Sequence, residues 1–455
     1  MLIISNISKI LRWSLLFVFT FSASATEPAP LAQGAITAEW PRLLGPTDNA
    51  TSPETHLLHN LPKTGLPILW ESPKGNGFGG PAIANQHLVI FYRVEEQEVI
   101  DCLHPSTGKR LWKYAYNAPY LPRYGGSRGP RTSPVIADGR VFTFGITGHL
   151  HCLDLATGKV LWDRDGEKDF AMGKSFFGHG STPLVIGKKL LVQVGGKIDG
   201  QSVNSVALNT DNGQLLWKAV HPWGASYSSP IPAKLHGRDC ILVLAGGESR
   251  PPIGGLLVID THTGQILAEA PHRATIAESV SASSPVVLQS LDKTSALVFV
   301  SESYGAGGAC FSIAKDFSVT TAWKAAEFGL YWMTPLVKEP LLFGFAGQNE
   351  RLAELIAIDS LTGKELWRTD LGGGFGRASF LNVDQSILCL GEFGDLAWLE
   401  LSKDGAKIKS RTKLFNAPET WTLPAISRGL LYVSQNEPGE GGTQPRIVCY
   451  DFRGK

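Results

Sequence analysis

One motif recurs along this chain about every fifty residues, and it constrains the fold more than any other feature. Its clearest copies are Asp101-Cys-Leu-His-Pro-Ser-Thr-Gly-Lys-Arg-Leu-Trp112 and His151-Cys-Leu-Asp-Leu-Ala-Thr-Gly-Lys-Val-Leu-Trp162. Val206 to Trp217, Leu257 to Ala268 and Ile356 to Trp367 repeat the pattern, and weaker copies end at Trp323 and near Lys409. Each reads as strand, turn, strand. An alternating apolar run ends at Asp or Asn, a Thr-Gly or Asn-Gly pair turns the chain, and a second short run ends at Trp. Gly supplies the positive φ of a tight hairpin, and the Asp or Asn four residues earlier can cap the turn with its own side chain.

A second element opens each unit: a small or hydroxyl residue, Pro, then an apolar run. Ser133-Pro134, Thr182-Pro183, Ser229-Pro230, Ser284-Pro285 and Thr334-Pro335 are the regular versions. Gly80-Pro81 and Leu423-Pro424 are looser, and Ser379-Phe380 lacks the proline. Pro is tolerated at the first residue of a strand. Each unit therefore holds four strands, and the Trp-strand ends at 70, 112, 162, 217, 268, 323, 367 and 409 number eight units. Leu66 to Trp70 lacks an Asp-ended strand before it, and Ile447 to Asp451 lacks a Trp-strand after it. The two half-units complete each other. This predicts an all-β, eight-bladed propeller of four-stranded antiparallel blades, with the termini sharing one blade; an open β-solenoid, the rival, leaves no complementary halves. Trp70, Trp112, Trp162, Trp217, Trp323 and Trp367 are expected to be structural, docking between adjacent sheets.

The turn sequences Leu153 to Trp162 and Ile358 to Trp367 resemble the repeat of pyrroloquinoline-quinone (PQQ)-like β-propellers, the quinoprotein alcohol dehydrogenase-like group. The resemblance covers about residues 66 to 452 and implies eight blades with Trp-docking motifs. Trp40-Pro-Arg-Leu-Leu-Gly-Pro46 also looks like the lead-in of exported bacterial members. The group includes dehydrogenases and non-enzymatic scaffold or assembly proteins, so fold does not choose between them. Its enzymes stack the quinone between a Trp and a ring of two adjacent disulfide-bonded cysteines, and hold calcium with Glu, Asn and Asp. This chain has no Cys-Cys pair, which disfavours the enzyme, although other members bind the quinone without one. No cofactor is assigned; PQQ with calcium stays open.

The remaining composition narrows the field. With 42 basic and 41 acidic residues the chain lacks the clustered charge of a nucleic-acid binder. Lys9 and Arg12 precede the apolar run Trp13 to Phe21, and Ser22-Ala-Ser-Ala25 offers a cleavage site. The expected division is a signal peptide at 1–25, an extension at 26–65 and a propeller at 66–455. The mature chain is then periplasmic or extracellular, with no membrane span. Cys102, Cys152 and Cys449 share one repeat slot, filled by Ala207, Val258 and Ala357 elsewhere, which suits buried free thiols. A disulfide between neighbouring blades stays open, and Cys240, Cys310 and Cys389 are unassigned. No His and Cys spacing marks a metal site.

Repeat alignment also locates a mouth. Residues three before each proline or its equivalent should crowd the axis at one end: Phe78, Arg131, Gly180, Tyr227, Ala282, Trp332, Arg377 and Trp421. Arg128 and His179 lie on the loops leading in. Either these side chains plug the channel neck, or they form a partly cationic pocket for a protein or a small anionic or aromatic ligand. A dehydrogenase would also need a base, for which Glu248, Glu302 and Glu392 are candidates. The leading expectation is a non-catalytic binding or scaffolding propeller; the alternative is a PQQ-dependent dehydrogenase of small alcohols or sugars.

Overall fold

Within each repeat the turn is fixed by its own side chains. Asp154 Oδ1 accepts the Thr157 N–H at 2.9 Å and the Thr157 hydroxyl at 2.6 Å, while Gly158 N–H reaches Asp154 O at 2.9 Å. Asp260 with Thr263 and Asp359 with Thr362 repeat this arrangement. Stacking these hairpins builds the ring. The computed structural model describes residues 27–123, 127–290, 294–347 and 353–454; the expected export signal lies outside them. Among the described residues the strands form eight sheets. Blade 1 consists of Ala82–Ala84, His87–Val94, Gln97–Leu103 and Arg110–Asn117, from the axis outward. Blades 2 to 6 follow at 135–165, 184–220, 231–271, 286–325 and 336–369. Blade 7 spans 379–413 and carries a fifth strand, Thr51–Ser52, parallel to Ser379–Val383. Blade 8 closes the ring: Ile68–Pro73 pairs antiparallel with Arg446–Asp451, with Trp70 opposite Cys449.

Each blade is clamped to the next by its outer-strand Trp. Trp70, Trp112, Trp162, Trp217 and Trp323 each donate Nε1–H to a backbone carbonyl of the following blade, at 2.7–3.2 Å. Their indoles lie flat against the turn glycine there. A Cβ added to Gly108, Gly158, Gly213, Gly264 or Gly363 would fall 2.3–2.7 Å from the Trp ring. These turns therefore need Gly twice over, for the positive φ and for the approach of the ring. The residue opposite each Trp on the third strand is small, Cys102, Cys152, Ala207, Cys310 and Cys449 among them. All six cysteines are buried free thiols. Trp367 docks more loosely, donating to Ser402 O at 3.0 Å.

The two irregular junctions are explained by the same rule. At the blade 4–5 junction Ala268 replaces Trp, and the turn of blade 5 places Phe317, at φ 65°, where glycine otherwise sits. Bulk has moved from one side of the contact to the other. At the blade 7–8 junction the Trp lies on the third strand instead, with Trp398 opposite Ser410. Blade 8 has no turn to receive it, because that position is where the chain is open. The N-terminal extension fills the gap: Leu58 O accepts Trp398 Nε1–H at 2.9 Å, His59 stacks on the ring at 4.4 Å, and Pro62 O accepts the Thr412 hydroxyl.

Inside the ring a second belt joins the innermost strands. At three successive junctions the amide before the proline donates to the next blade's hydroxyl: Gly80 to Ser133 at 2.8 Å, Ser133 to Thr182 at 3.0 Å, and Thr182 to Ser229 at 3.0 Å. The Ser/Thr-Pro pair thus opens the strand with a residue that needs no partner and bonds sideways with the one before it.

Gly158→Ala should lower the melting temperature at least twice as much as Gly139→Ala. Both residues have φ near +70°, but nothing lies within 4 Å of a Cβ at Gly139. Positive φ alone costs about 1 kcal/mol; the additional loss at Gly158, read by calorimetry, measures the Trp112 dock.

Candidate functional site

The loops that enter the innermost strands and the Thr-Gly turns lie at opposite ends of each blade, since the four strands alternate in direction. At the Thr-Gly end the N-terminal extension crosses the channel. Ala38 O accepts the Ser427 hydroxyl of blade 8, Trp40 bridges Ile83 of blade 1, and Pro41 O accepts Ile136 N–H of blade 2. By Thr51 the chain has reached Asn382 of blade 7, across the axis. Glu54, 1 % exposed, anchors the crossing by accepting N–H groups from Ala38, Arg428 and Gly429. Burial raises its pKa, offset in part by those amides.

The result is a blind cavity of about 280 Å³, open at the loop end. Leu43, Leu44 and Ala50 of the extension floor it. Ser229, Val280, Ala282, Ser284, Thr334 and Ser379 form its wall, and aromatic side chains surround its mouth. Of the eight aligned positions, Phe78, Arg131, Gly180, Tyr227, Ala282, Trp332 and Trp421 line it. Arg128 is exposed and lies outside the lining. His179 and Arg377 sit one layer behind. The His179 ring packs on Phe144 at 5.4 Å, and its backbone N–H bonds Ile146 O. Arg377 pairs with Glu392, Nη2 to Oε1 at 2.6 Å, and its guanidinium lies 5.0 Å from the Trp421 ring. Glu392 Oε1 also accepts Trp421 Nε1–H at 2.7 Å, which fixes that indole at the mouth.

The three candidate bases are engaged in this supporting layer. Glu302 is buried in an ion pair with Arg273 and also accepts the Ser279 hydroxyl. Glu248 accepts Phe176 N–H and the Tyr227 hydroxyl, the latter at 3.2 Å. Glu392 holds Arg377 and Trp421. Sequence reasoning missed Phe177, Tyr331 and Glu419, which also line the cavity. Burial raises the Glu419 pKa, with a further push from the Glu437 and Glu392 carboxylates, and its backbone is held at φ 54°. Phe177 and Tyr331 each precede the repeat position used to find the others, by three residues and one.

Arg131 differs from the other arginines behind the mouth. Its Nη atoms reach only backbone carbonyls, Gly129 O at 3.3 Å and Ser127 O at 3.2 Å. Its guanidinium lies 5.9 Å from the Phe78 ring centre and 5.4 Å from that of Phe177. No carboxylate among the described residues pairs with it. Burial lowers its pKa from the usual value, yet a guanidinium remains charged. Two further polar atoms in this lining lack a partner, Trp332 Nε1 and Ser379 Oγ, both buried.

A sequence model of the family described as outer membrane protein assembly factor BamB matches residues 95–369. The chain belongs to this family. One BamB relative, from Xanthomonas campestris pv. campestris, is 34 % identical over 97 residues, 21 % of this chain. That match spans about a quarter of the relative's length, 23 %. Among solved structures, BamB from Moraxella catarrhalis aligns with a TM-score of 0.54 at 15 % identity, covering 85 % of this chain and 98 % of that one. A europium-containing methanol dehydrogenase aligns at TM-score 0.64 and 10 % identity, covering 91 % and 98 %. Quinohemoprotein alcohol dehydrogenase from Comamonas testosteroni aligns at 0.62 and 14 %, covering 92 % and 81 %. These likenesses establish the shared propeller fold. No helix of the described residues is long and apolar enough to cross a membrane.

The adjacent-cysteine ring of the quinone enzymes has no counterpart in this chain. Among the described residues no three His, Cys, Asp or Glu side chains converge on one point. Glu302 and Glu392 are already held by arginines, and the six thiols lie apart, buried in the blades.

Burial holds His179 down to about 4, and His151 likewise. Between pH 6.5 and 4 the unfolded chain binds protons that these folded imidazoles refuse, so stability is complete above 6.5 and lost as pH falls toward 4. Glu98, pushed up to about 6 by burial, works in the opposite sense between pH 4.5 and 6, so variants must be compared with each other. His179→Gln should narrow the gap in melting temperature between pH 7.5 and 5 by an amount equivalent to roughly 2 kcal/mol.

Proposed function

We propose that this chain is an exported, non-catalytic scaffold that binds a protein partner at the open, loop-bearing face of the propeller. The observation that carries this reading is Arg131: a cation set among aromatic rings at the mouth, with only carbonyl partners. Leaving a partly buried guanidinium without a carboxylate costs stability, and an anionic group from a partner would offset it. The surrounding loops add apolar contact area. Leu121 is 71 % exposed, and Ile276 and Ile253 are exposed on loops of the same face. Family membership supports the reading, because a relative with this repeat is named an outer membrane protein assembly factor.

Photo-crosslinking residues placed at Leu121 and Ile276, with one at Ile36 on the extension as the contrast, test the reading in cells. One discrete adduct from the loop-face positions, lost in Arg131→Glu, is the expected result. Calcium-dependent oxidation of an alcohol by the purified chain supplied with PQQ would overturn it.

A further inference from the structure

We infer that the blind cavity is a binding site for a single aromatic carboxylate of about amino-acid size. The inference rests on the binding reading above and names the chemistry the mouth would recognise. Three observations converge on it. The cavity's volume, about 280 Å³, sits at the lower end of the range for ligand pockets, enough for one ring and its substituents. Its mouth presents the faces and edges of Phe78, Trp421 and Trp332, with ring centres 5.0 and 6.3 Å apart, the spacing at which aromatic groups attract. Its two charged side chains are Arg131 and Glu419, and among the described residues no carboxylate stands within ion-pair distance of the Arg131 guanidinium. Arg131 bonds only carbonyls, the buried Trp332 indole N–H has no partner, and neither has the hydroxyl of Ser379, a residue 3 % exposed.

Each element excludes an alternative. A neutral sugar would stack on the rings but leave the Arg131 charge unanswered. Inorganic phosphate would pair with Arg131 but leave the apolar floor of Leu43, Leu44 and Ala50 and the rings unused. A long acidic peptide cannot pass through, because the extension closes the far end. A carboxylate attached to one ring satisfies all three. Its oxygens take the Arg131 guanidinium, and the ring fills the apolar volume. Such a group exists as a free small acid and as the C-terminal aromatic residue of a protein.

Calorimetric titration of the full chain with N-acetylphenylalanine, its amide, and a six-residue peptide ending in Phe as free acid or as amide separates these. The acids should bind at least about tenfold more tightly than their amides, the value of a charge-assisted pair. Arg131→Gln should erase that difference while the melting temperature is held. Binding of the free acid alone assigns the site to a small molecule; equal or tighter binding of the peptide assigns it to a chain end. Equal affinity of acid and amide, binding by neither acid, or an unchanged Arg131→Gln overturns the inference. Loop-face adducts surviving that outcome would leave the scaffold reading standing, and acid binding without adducts would leave the cavity and retire the scaffold.

Discussion

The ring depends on one contact made repeatedly: an indole laid flat on the turn glycine of the next blade, with its N–H on a neighbouring carbonyl. A propeller blade buries little by itself, since a four-stranded sheet has two faces to cover. The dock covers them by coupling successive sheets, burying a large aromatic surface and adding a hydrogen bond of about 1 kcal/mol at each junction. Because it joins an outer strand to the next blade's turn, it acts around the circumference and leaves the axis free. The hydroxyl belt of Ser133, Thr182 and Ser229 does the corresponding work at the inner radius. Between these two belts the blades are spaced, and the channel keeps its width.

The exceptions are as informative as the rule. Ala268 facing Phe317 conserves filling while reversing which blade supplies the bulk. Trp398 facing Ser410 shifts the indole by one strand, and the extension supplies the acceptor that a missing turn cannot. At the blade 7–8 junction both the volume and the hydrogen bond are thereby accounted for. The mouth is supported in a similar way. Glu392, Arg377 and Trp421 form a closed set of charge and donor, so Arg377 positions an aromatic ring while Arg131 is left facing the cavity.

Much of this was legible in the sequence because it is local and periodic. The Asp-to-Thr cap, the Gly turn and the Trp lie within ten residues, so each copy carries its own evidence, and counting them yields blade number and closure. The repeat position before each proline found seven cavity residues for the same reason. What the sequence hid is nonperiodic. Leu43, Leu44 and Ala50 precede the first repeat, and nothing in their spacing indicates that the segment crosses the channel. Arg128 and Arg131 are three apart on one loop, and only the course of that loop turns one outward and the other to the cavity. His179 and Arg377 stand at or near the aligned position, yet a ring contact and an ion pair hold them behind the wall. Phe177 belongs to a loop that drifts out of register with the alignment.

The crossing of the extension bears on when this protein becomes competent. Its anchors pair residues far apart in the sequence: Ala38 on Ser427, Thr51 on Asn382, and Leu58 on Trp398. Residues 38–58 must therefore wait for residues 382–427 before they find their places. Contacts separated by more than 330 residues close late and at high entropic cost. The cavity floor is made by those contacts, so a partial ring of six or seven blades would be an open tube. Occupancy of the cavity would then report a finished floor, available only to a chain in which blades 7 and 8 already hold the extension.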